Sequence, residues 1–199
     1  METRGKFIVL YGSNNIGKTE QARRLTENLN AIGVITESVK YPIYDLEPTG
    51  QILNRILRKG NPDKYSAEET QKIFAQNRFD YQPELEARLS KGYWVVAEDY
   101  KGTGIAWGLT FGVPMDKLLE FNKDLLKEDL AICLDGERFS SGIERNHLHE
   151  GSDLWDLNRA VHQEMSNVFG WEMVNSNQNR ENVAKDVLEK VVNRFRLQI

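Results

Sequence analysis

The chain has 199 residues, 40% of them hydrophobic and 28% charged, with a net charge of −4 and a single cysteine. Such a chain is long enough for one domain over residues 1–199 around one core, too rich in apolar residues for disorder, and excludes a disulfide framework. Its acidic balance gives no general attraction to nucleic acid or an anionic membrane, so an anionic ligand has to be held by a local site.

The elements alternate along the chain. Residues 6–11 form an apolar run that predicts a buried strand; GSNNIGKT (12–19) follows, and then EQARRLTENL, which has the composition of a helix. A second strand is expected over 34–41. The segment 41–50, YPIYDLEPTG, carries two prolines and a glycine and predicts a loop at that strand's carboxyl end, where open α/β sheets bind ligands. Ser66 and Glu69 have the spacing of a capping box and open a helix that closes at Gly92, with Pro83 expected to kink or divide it. A third strand is expected over 93–98. A helix is expected to begin at Pro114 and run through 114–130, repeating Leu118, Leu119, Leu125 and Leu126. Strands are also expected over 130–135 and 171–176. In the last helix Val183, Val187, Leu188, Val191, Val192 and Phe195 share one face. Residues 136–153 are polar with three glycines and predict a short mobile lid. This alternation predicts an α/β fold with a parallel sheet covered on both faces. Cys133 sits inside LAICL and reads as core. With no signal peptide and no run reaching the ~18 apolar residues of a membrane span, a cytoplasmic location is expected.

The loop 12–19 fits G-x-x-x-x-G-K-[ST] through Gly12, Gly17, Lys18 and Thr19. The glycines let several backbone N–H groups converge on phosphate oxygens, and the following helix turns its positive end to the same place. In that pattern Lys18 would reach the outer phosphates and the Thr19 hydroxyl would ligate the accompanying magnesium. A GTPase would need an Asn-Lys-x-Asp guanine reader, and Asn122-Lys123-Asp124 is one residue short. A nucleic-acid-driven ATPase would need a basic track that the composition lacks. A small phosphotransferase remains. His147, His149 and Glu150 suggest a metal set, but no third separated ligand accompanies them.

IFAQNR (73–78), VVAEDYKGTGIAW (95–107), YPIY (41–44) and GSNNIGKTEQ (12–21) together resemble the thymidylate kinase family of P-loop nucleoside monophosphate kinases. The resemblance implies a three-layer P-loop kinase fold with a five-stranded parallel sheet flanked by helices and a short lid at about 136–153. It implies ATP with Mg2+ as donor, dTMP as acceptor, and small nucleotides, not nucleic acid or membrane, as partners; members are commonly homodimers. Gly12, Ser13, Asn14, Asn15, Ile16, Gly17, Lys18, Thr19 and Glu20 would hold the donor, with Asn177 and Arg180 skirting its adenine. Phe74 would stack on the thymine and Arg78 donate to its carbonyl, four residues apart on one helix side. Tyr41 would shape the acceptor loop, Tyr44 contact the acceptor phosphate, Thr103 bond the base and Trp107 crowd the sugar. Glu98 would hold magnesium or orient the acceptor, and Arg138 or Arg145 would place lid charge over the transferring phosphate.

Three positions depart from the family pattern. Asn14 stands where a carboxylate usually contacts the sugar, Asp99 replaces an arginine beside the catalytic carboxylate, and Ile43 removes another arginine. These leave the donor half intact and keep open another deoxynucleotide, a deoxynucleoside, or a nucleotide-binding regulatory module without turnover. Lys101, Lys40 or a lid arginine would have to replace the lost cation.

Overall fold

A computed structural model describes residues 4–139 and 152–198. Its sheet comprises β1 (Phe7–Tyr11), β2 (Thr36–Lys40), β3 (Trp94–Glu98), β4 (Leu130–Asp135) and β5 (Glu172–Asn175), all parallel, in the order β2-β3-β1-β4-β5. β1 has no solvent exposure along its whole length, which explains why its sequence is an unbroken apolar run and not an alternation. β5 lies at the edge and buries only Val174 fully.

The helices are α1 (Lys18–Ala31), α2 (Thr49–Arg58), α3 (Ala67–Ser90), α4 (Lys101–Thr110), α5 (Met115–Phe121), α6 (Ser152–Phe169) and α7 (Arg180–Phe195). Alternate residues of β1 divide the core between the two faces. Phe7, Val9 and Tyr11 pack under α3, α4 and α5, whereas Ile8 and Leu10 pack under α1 and α7. Val183, Val187 and Val191 form the buried stripe of α7, as their spacing predicts. Among the described residues no helix is long and apolar enough to cross a membrane.

Ser66 and Glu69 form the capping box that starts α3: the Ser66 hydroxyl accepts from the Glu69 N–H at 3.2 Å and the Glu69 carboxylate accepts from the Ser66 N–H at 2.8 Å. Pro83 does not divide this helix. It lies on the exposed side, where water can take the carbonyl that loses its partner. The expected helix over 114–130 is corrected to α5. It stops at Phe121 because the Asn122 carboxamide turns back to donate to the Leu118 carbonyl at 2.7 Å. Leu118 and Leu125 are buried but Leu119 is exposed. Three helices, α2, α4 and α6, lacked a clear signal. Of the lid expected over 136–153, residues 140–151 lie outside the described residues, and Ser152 already belongs to α6.

Candidate active site

The P-loop leaves β1 at its carboxyl end and passes into α1. Gly12, Asn15 and Gly17 all take positive φ (129°, 59° and 97°). At Gly12 a Cβ would stand 2.4 Å from the Leu134 carbonyl oxygen, so no larger residue fits against β4. Lys18 is almost wholly buried; its ammonium donates to the carbonyls of Gly12 at 2.9 Å and Ser13 at 2.8 Å and stands 3.6 Å from the Asp99 carboxylate. α6 braces the loop from behind. Trp155 Nε1 donates to the Asn14 carbonyl at 2.6 Å, and the Ser13 hydroxyl donates to Asn158 Oδ1 at 3.2 Å. Asn158, with no exposure, also donates to Thr110 of α4 at 3.1 Å, so one amide ties the loop to α4.

Parallel pairing of β1 with β3 sets Leu10 opposite Glu98, and this register brings the carboxylate to the start of α1. The Thr19 hydroxyl donates to Glu98 Oε1 at 2.9 Å, and Lys40 at the end of β2 lies 2.9 Å from the same oxygen and 3.3 Å from the Thr19 hydroxyl. Partial burial works against the Lys40 charge, but the pull of Glu98 overrides it and holds its pKa above the ordinary lysine value. Asp99 takes φ 62°, a left-handed conformation that Asp tolerates better than most residues. Its carboxylate accepts from the Thr103 hydroxyl at 2.8 Å.

The second end of the site is built on α3. Gln71, Phe74 and Arg78 recur at i, i+3 and i+7, and all three are buried and line one cavity. The Arg78 guanidinium lies 5.7 Å from the Phe74 ring centroid and donates to Asn122 Oδ1 at 3.3 Å. Among the described residues no carboxylate pairs with it, and Arg78 Nε meets no hydrogen-bond acceptor of the protein. Burial pulls its pKa down, opposed by the hydroxyls of Tyr100, Tyr11 and Tyr41 and by Asp99. Asn77, also unexposed, clamps the 41–48 loop by accepting from the Ile43 N–H at 2.8 Å and donating to the Ile43 carbonyl at 2.9 Å.

One cavity of about 340 Å³ joins these ends. Of the sequence-predicted residues, Asn14, Asn15, Gly17, Lys18, Thr19, Glu20, Tyr41, Tyr44, Phe74, Arg78, Glu98, Thr103 and Trp107 line it. Tyr41 and Trp107 are nevertheless packed deep: Tyr41 against Tyr81 and Tyr100, Trp107 along Phe111. The Ile16 side chain belongs to the core, so only its backbone can serve a ligand. Gly12 and Ser13 shape the loop from below. Asn177 and Arg180 lie away from the cavity; Asn177 Oδ1 accepts from the Glu137 N–H at 2.6 Å, and the Arg180 carbonyl accepts from Gln21 at 3.1 Å. Arg138 stands beside Trp155, 6.0 Å from its ring. Arg145, His147, His149 and Glu150 lie outside the described residues, and no cluster of metal-binding side chains occurs among the described ones. Sequence reasoning missed Arg58, Gln71, Asn77, Asn122, Trp155 and Asn158. Of these, Gln71 was legible in its helical spacing to Phe74 and Arg78.

A glycine-rich phosphate loop, a buried lysine at its helix and a carboxylate on the neighbouring strand, all opening on one cavity of a parallel sheet, define a P-loop phosphotransferase. A sequence profile described as "Thymidylate kinase" matches residues 10–193, and the chain belongs to the thymidylate kinase family. It is 29% identical over 193 residues to the thymidylate kinase of Homo sapiens, covering 92% of this chain and 88% of that one. It is 24% identical over 194 residues to that of Dictyostelium discoideum, covering 94% and 85%. In fold it is similar to the solved thymidylate kinase of Candida albicans, with a TM-score of 0.85 at 20% identity over 97% of this chain and 93% of that one.

Proposed function

We infer that the chain transfers the γ-phosphoryl group of ATP to dTMP, giving dTDP and ADP. The observation that carries this reading is the continuity of one cavity, with Lys18 and Thr19 at one end and Phe74 and Arg78 at the other. A donor phosphate chain and a flat base held at those two ends place an acceptor phosphate between them, within reach of the γ-phosphorus. An acceptor phosphate oxygen attacks that phosphorus while its bond to the bridging oxygen breaks and ADP leaves. Little covalent chemistry falls to the protein, so positioning and charge neutralisation are what its residues supply.

The P-loop amides and Lys18 grip the β- and γ-phosphates. Magnesium suits the hard oxygens of Thr19 and Glu98, which already accommodate the Lys40 ammonium at 3.3 and 2.9 Å. Held by those two residues, it would neutralise charge on the donor's phosphates. Arg78, buried and paired with no carboxylate among the described residues, suits a neutral base carbonyl. Phe74 supplies a ring face, and Trp107 closes the wall near the sugar.

An ADP-release assay over dTMP, dUMP, other nucleoside monophosphates and thymidine tests the reading. Turnover is expected on dTMP, lower on dUMP because a buried methyl is worth only ~1–3 kcal/mol, and lost in Lys18→Ala. Turnover on thymidine alone, or ATP binding with no acceptor consumed, would overturn it.

A further inference from the structure

The Lys40 ammonium stands on the two oxygens that suit a metal ion. It lies 2.9 Å from Glu98 Oε1 and donates to the Thr19 hydroxyl oxygen at 3.3 Å, while that hydroxyl donates its own proton to Glu98 Oε1 at 2.9 Å. The three groups close a ring. Glu98 is almost wholly buried, and a carboxylate withdrawn from water needs a counter-cation whenever no metal supplies one.

The backbone fixes the root of this lysine and leaves its head able to turn. Lys40 is the last residue of β2, paired with Glu98 in the parallel register of β2 and β3, and the N–H of Tyr41 next in the chain donates to the Glu98 carbonyl at 3.0 Å. The Lys40 side chain is 58% exposed and lines the cavity that joins Lys18 and Thr19 to Phe74 and Arg78. An ammonium on a flexible stem passes readily from one set of oxygens to another. A divalent cation and an ammonium cannot share Thr19 and Glu98, because their charges repel at such separations, and hard carboxylate and hydroxyl oxygens favour the divalent ion. Lys40 then needs another anion, and the phosphate of an acceptor nucleotide falls between the two ends of the same cavity. Lys101, two residues beyond Asp99, is turned elsewhere. Its ammonium lies 3.1 Å from Glu128 and donates to the Leu126 carbonyl at 3.3 Å, on the wall of a second cavity.

We propose that Lys40 is an exchangeable counter-cation. It neutralises Glu98 while the donor is absent, yields Glu98 and Thr19 to the metal that enters with ATP, and turns to the phosphate of the acceptor nucleotide. This rests on the dTMP reading above. Donor and acceptor thereby assist one another, since each favours the position of the ammonium that the other requires, and by linkage the gain is equal in both directions.

Calorimetric binding tests the exchange without turnover, using a non-hydrolysable ATP analogue. In the wild type, the analogue with magnesium is expected to tighten dTMP binding about 10-fold. The analogue in EDTA, or thymidine in place of dTMP, should give a change within about twofold, because one lacks the metal and the other the phosphate. Lys40→Met keeps the stem and removes the charge. It is expected to abolish the gain, to leave dTMP binding without the donor within about twofold of wild type, and to lower several-fold the magnesium concentration that half-saturates the analogue complex; Lys40→Arg should keep part of the gain. Absence of the gain in the wild type, or its retention in Lys40→Met, overturns the proposal and leaves the dTMP reading in place. So does a raised magnesium requirement in Lys40→Met, which would make the ammonium a support of the metal and not its rival. An equal loss of dTMP affinity with and without the donor also overturns it, because the lysine would then hold the phosphate at all times. A wild-type chain that binds no dTMP under either condition overturns both readings.

Discussion

The Thr19 hydroxyl donates to the Glu98 carboxylate at 2.9 Å, linking the first turn of α1 to the last residue of β3. Both groups are fixed by backbone, one by the P-loop turn and the other by the β1–β3 register. Replacing Glu98 by Gln keeps an oxygen for Thr19 but removes the negative charge. Glu98→Gln is expected to lower kcat about 100-fold or more and to raise the magnesium concentration needed for half-maximal rate. The Lys40 pair is exposed on the lysine side, so thermal unfolding should register a loss of only ~0–1 kcal/mol. A kcat within threefold of wild type would refute the role given to this carboxylate.

Gly104 faces Arg78 from α4, and a Cβ there would stand 2.6 Å from Arg78 Nη2. The obstructing atom is the end of a long side chain, so Arg78 yields and the fold does not. Alanine also favours the helix over glycine by ~1 kcal/mol. Gly104→Ala should therefore melt no lower than wild type while its KM for dTMP rises roughly tenfold and its KM for ATP holds. Equal shifts in the two constants, or a lower melting temperature, would contradict this geometry.

Asn122 accepts from Arg78 and donates to the Leu118 carbonyl, acting as a positioning residue between the end of α5 and the base site. Removing it leaves a buried guanidinium short of an acceptor, which costs ~1–3 kcal/mol. For Asn122→Ala we expect a lower melting temperature and a several-fold rise in KM for dTMP and for thymidine inhibition alike. If the constants for dTMP and thymidine are both unchanged, Arg78 is not held by this amide.

His162 lies behind the P-loop with its Nδ1 2.9 Å from the Asn158 carbonyl and no exposure of consequence. Burial pushes its pKa down to about 4; the Asn158 carbonyl opposes the shift and Lys18 adds to it. Because the unfolded chain binds this proton near pH 6.5 and the folded one only near 4, stability rises with pH across that interval. It is fully present above about 6.5 and is lost as pH falls through 4, by roughly 3 kcal/mol in all. Thermal melts between pH 7 and 4 should fall more steeply for wild type than for His162→Gln; coincident slopes would remove His162 from the account.

β1, β3 and β4 were legible because burial on both faces writes continuous apolar runs, whereas β2 and β5 are more exposed and carry only short ones; all five appear close to where the sequence puts them. The P-loop and the start of α3 were legible for a different reason, since each depends on local chemistry at fixed spacing. α2 was hidden by Pro48 and Gly50, which read as turn residues, although Leu53, Ile56 and Leu57 carry its buried stripe. The partners Asn77, Asn122 and Asn158 were not legible. An asparagine within or at the end of a helix reads as surface until the packing shows which face is covered, and here packing turns all three inward. Thr103 was read as a base contact, while in the structure its hydroxyl is engaged by Asp99, a pairing that required knowing the backbone of Asp99.

The clamp of Asn77 on Ile43 has a consequence for how such a protein can be remade. Residues 41–58 are anchored to α3 and to one another, whereas the grip on the donor depends on β1, β4 and α6. Residues 41–58 are thus a detachable wall of the acceptor end, while the base is met by Phe74 and Arg78 of α3. A grafted 41–58 segment, joined at the same asparagine, should change how tightly the acceptor is held while the base chosen and the uptake of ATP stay as before.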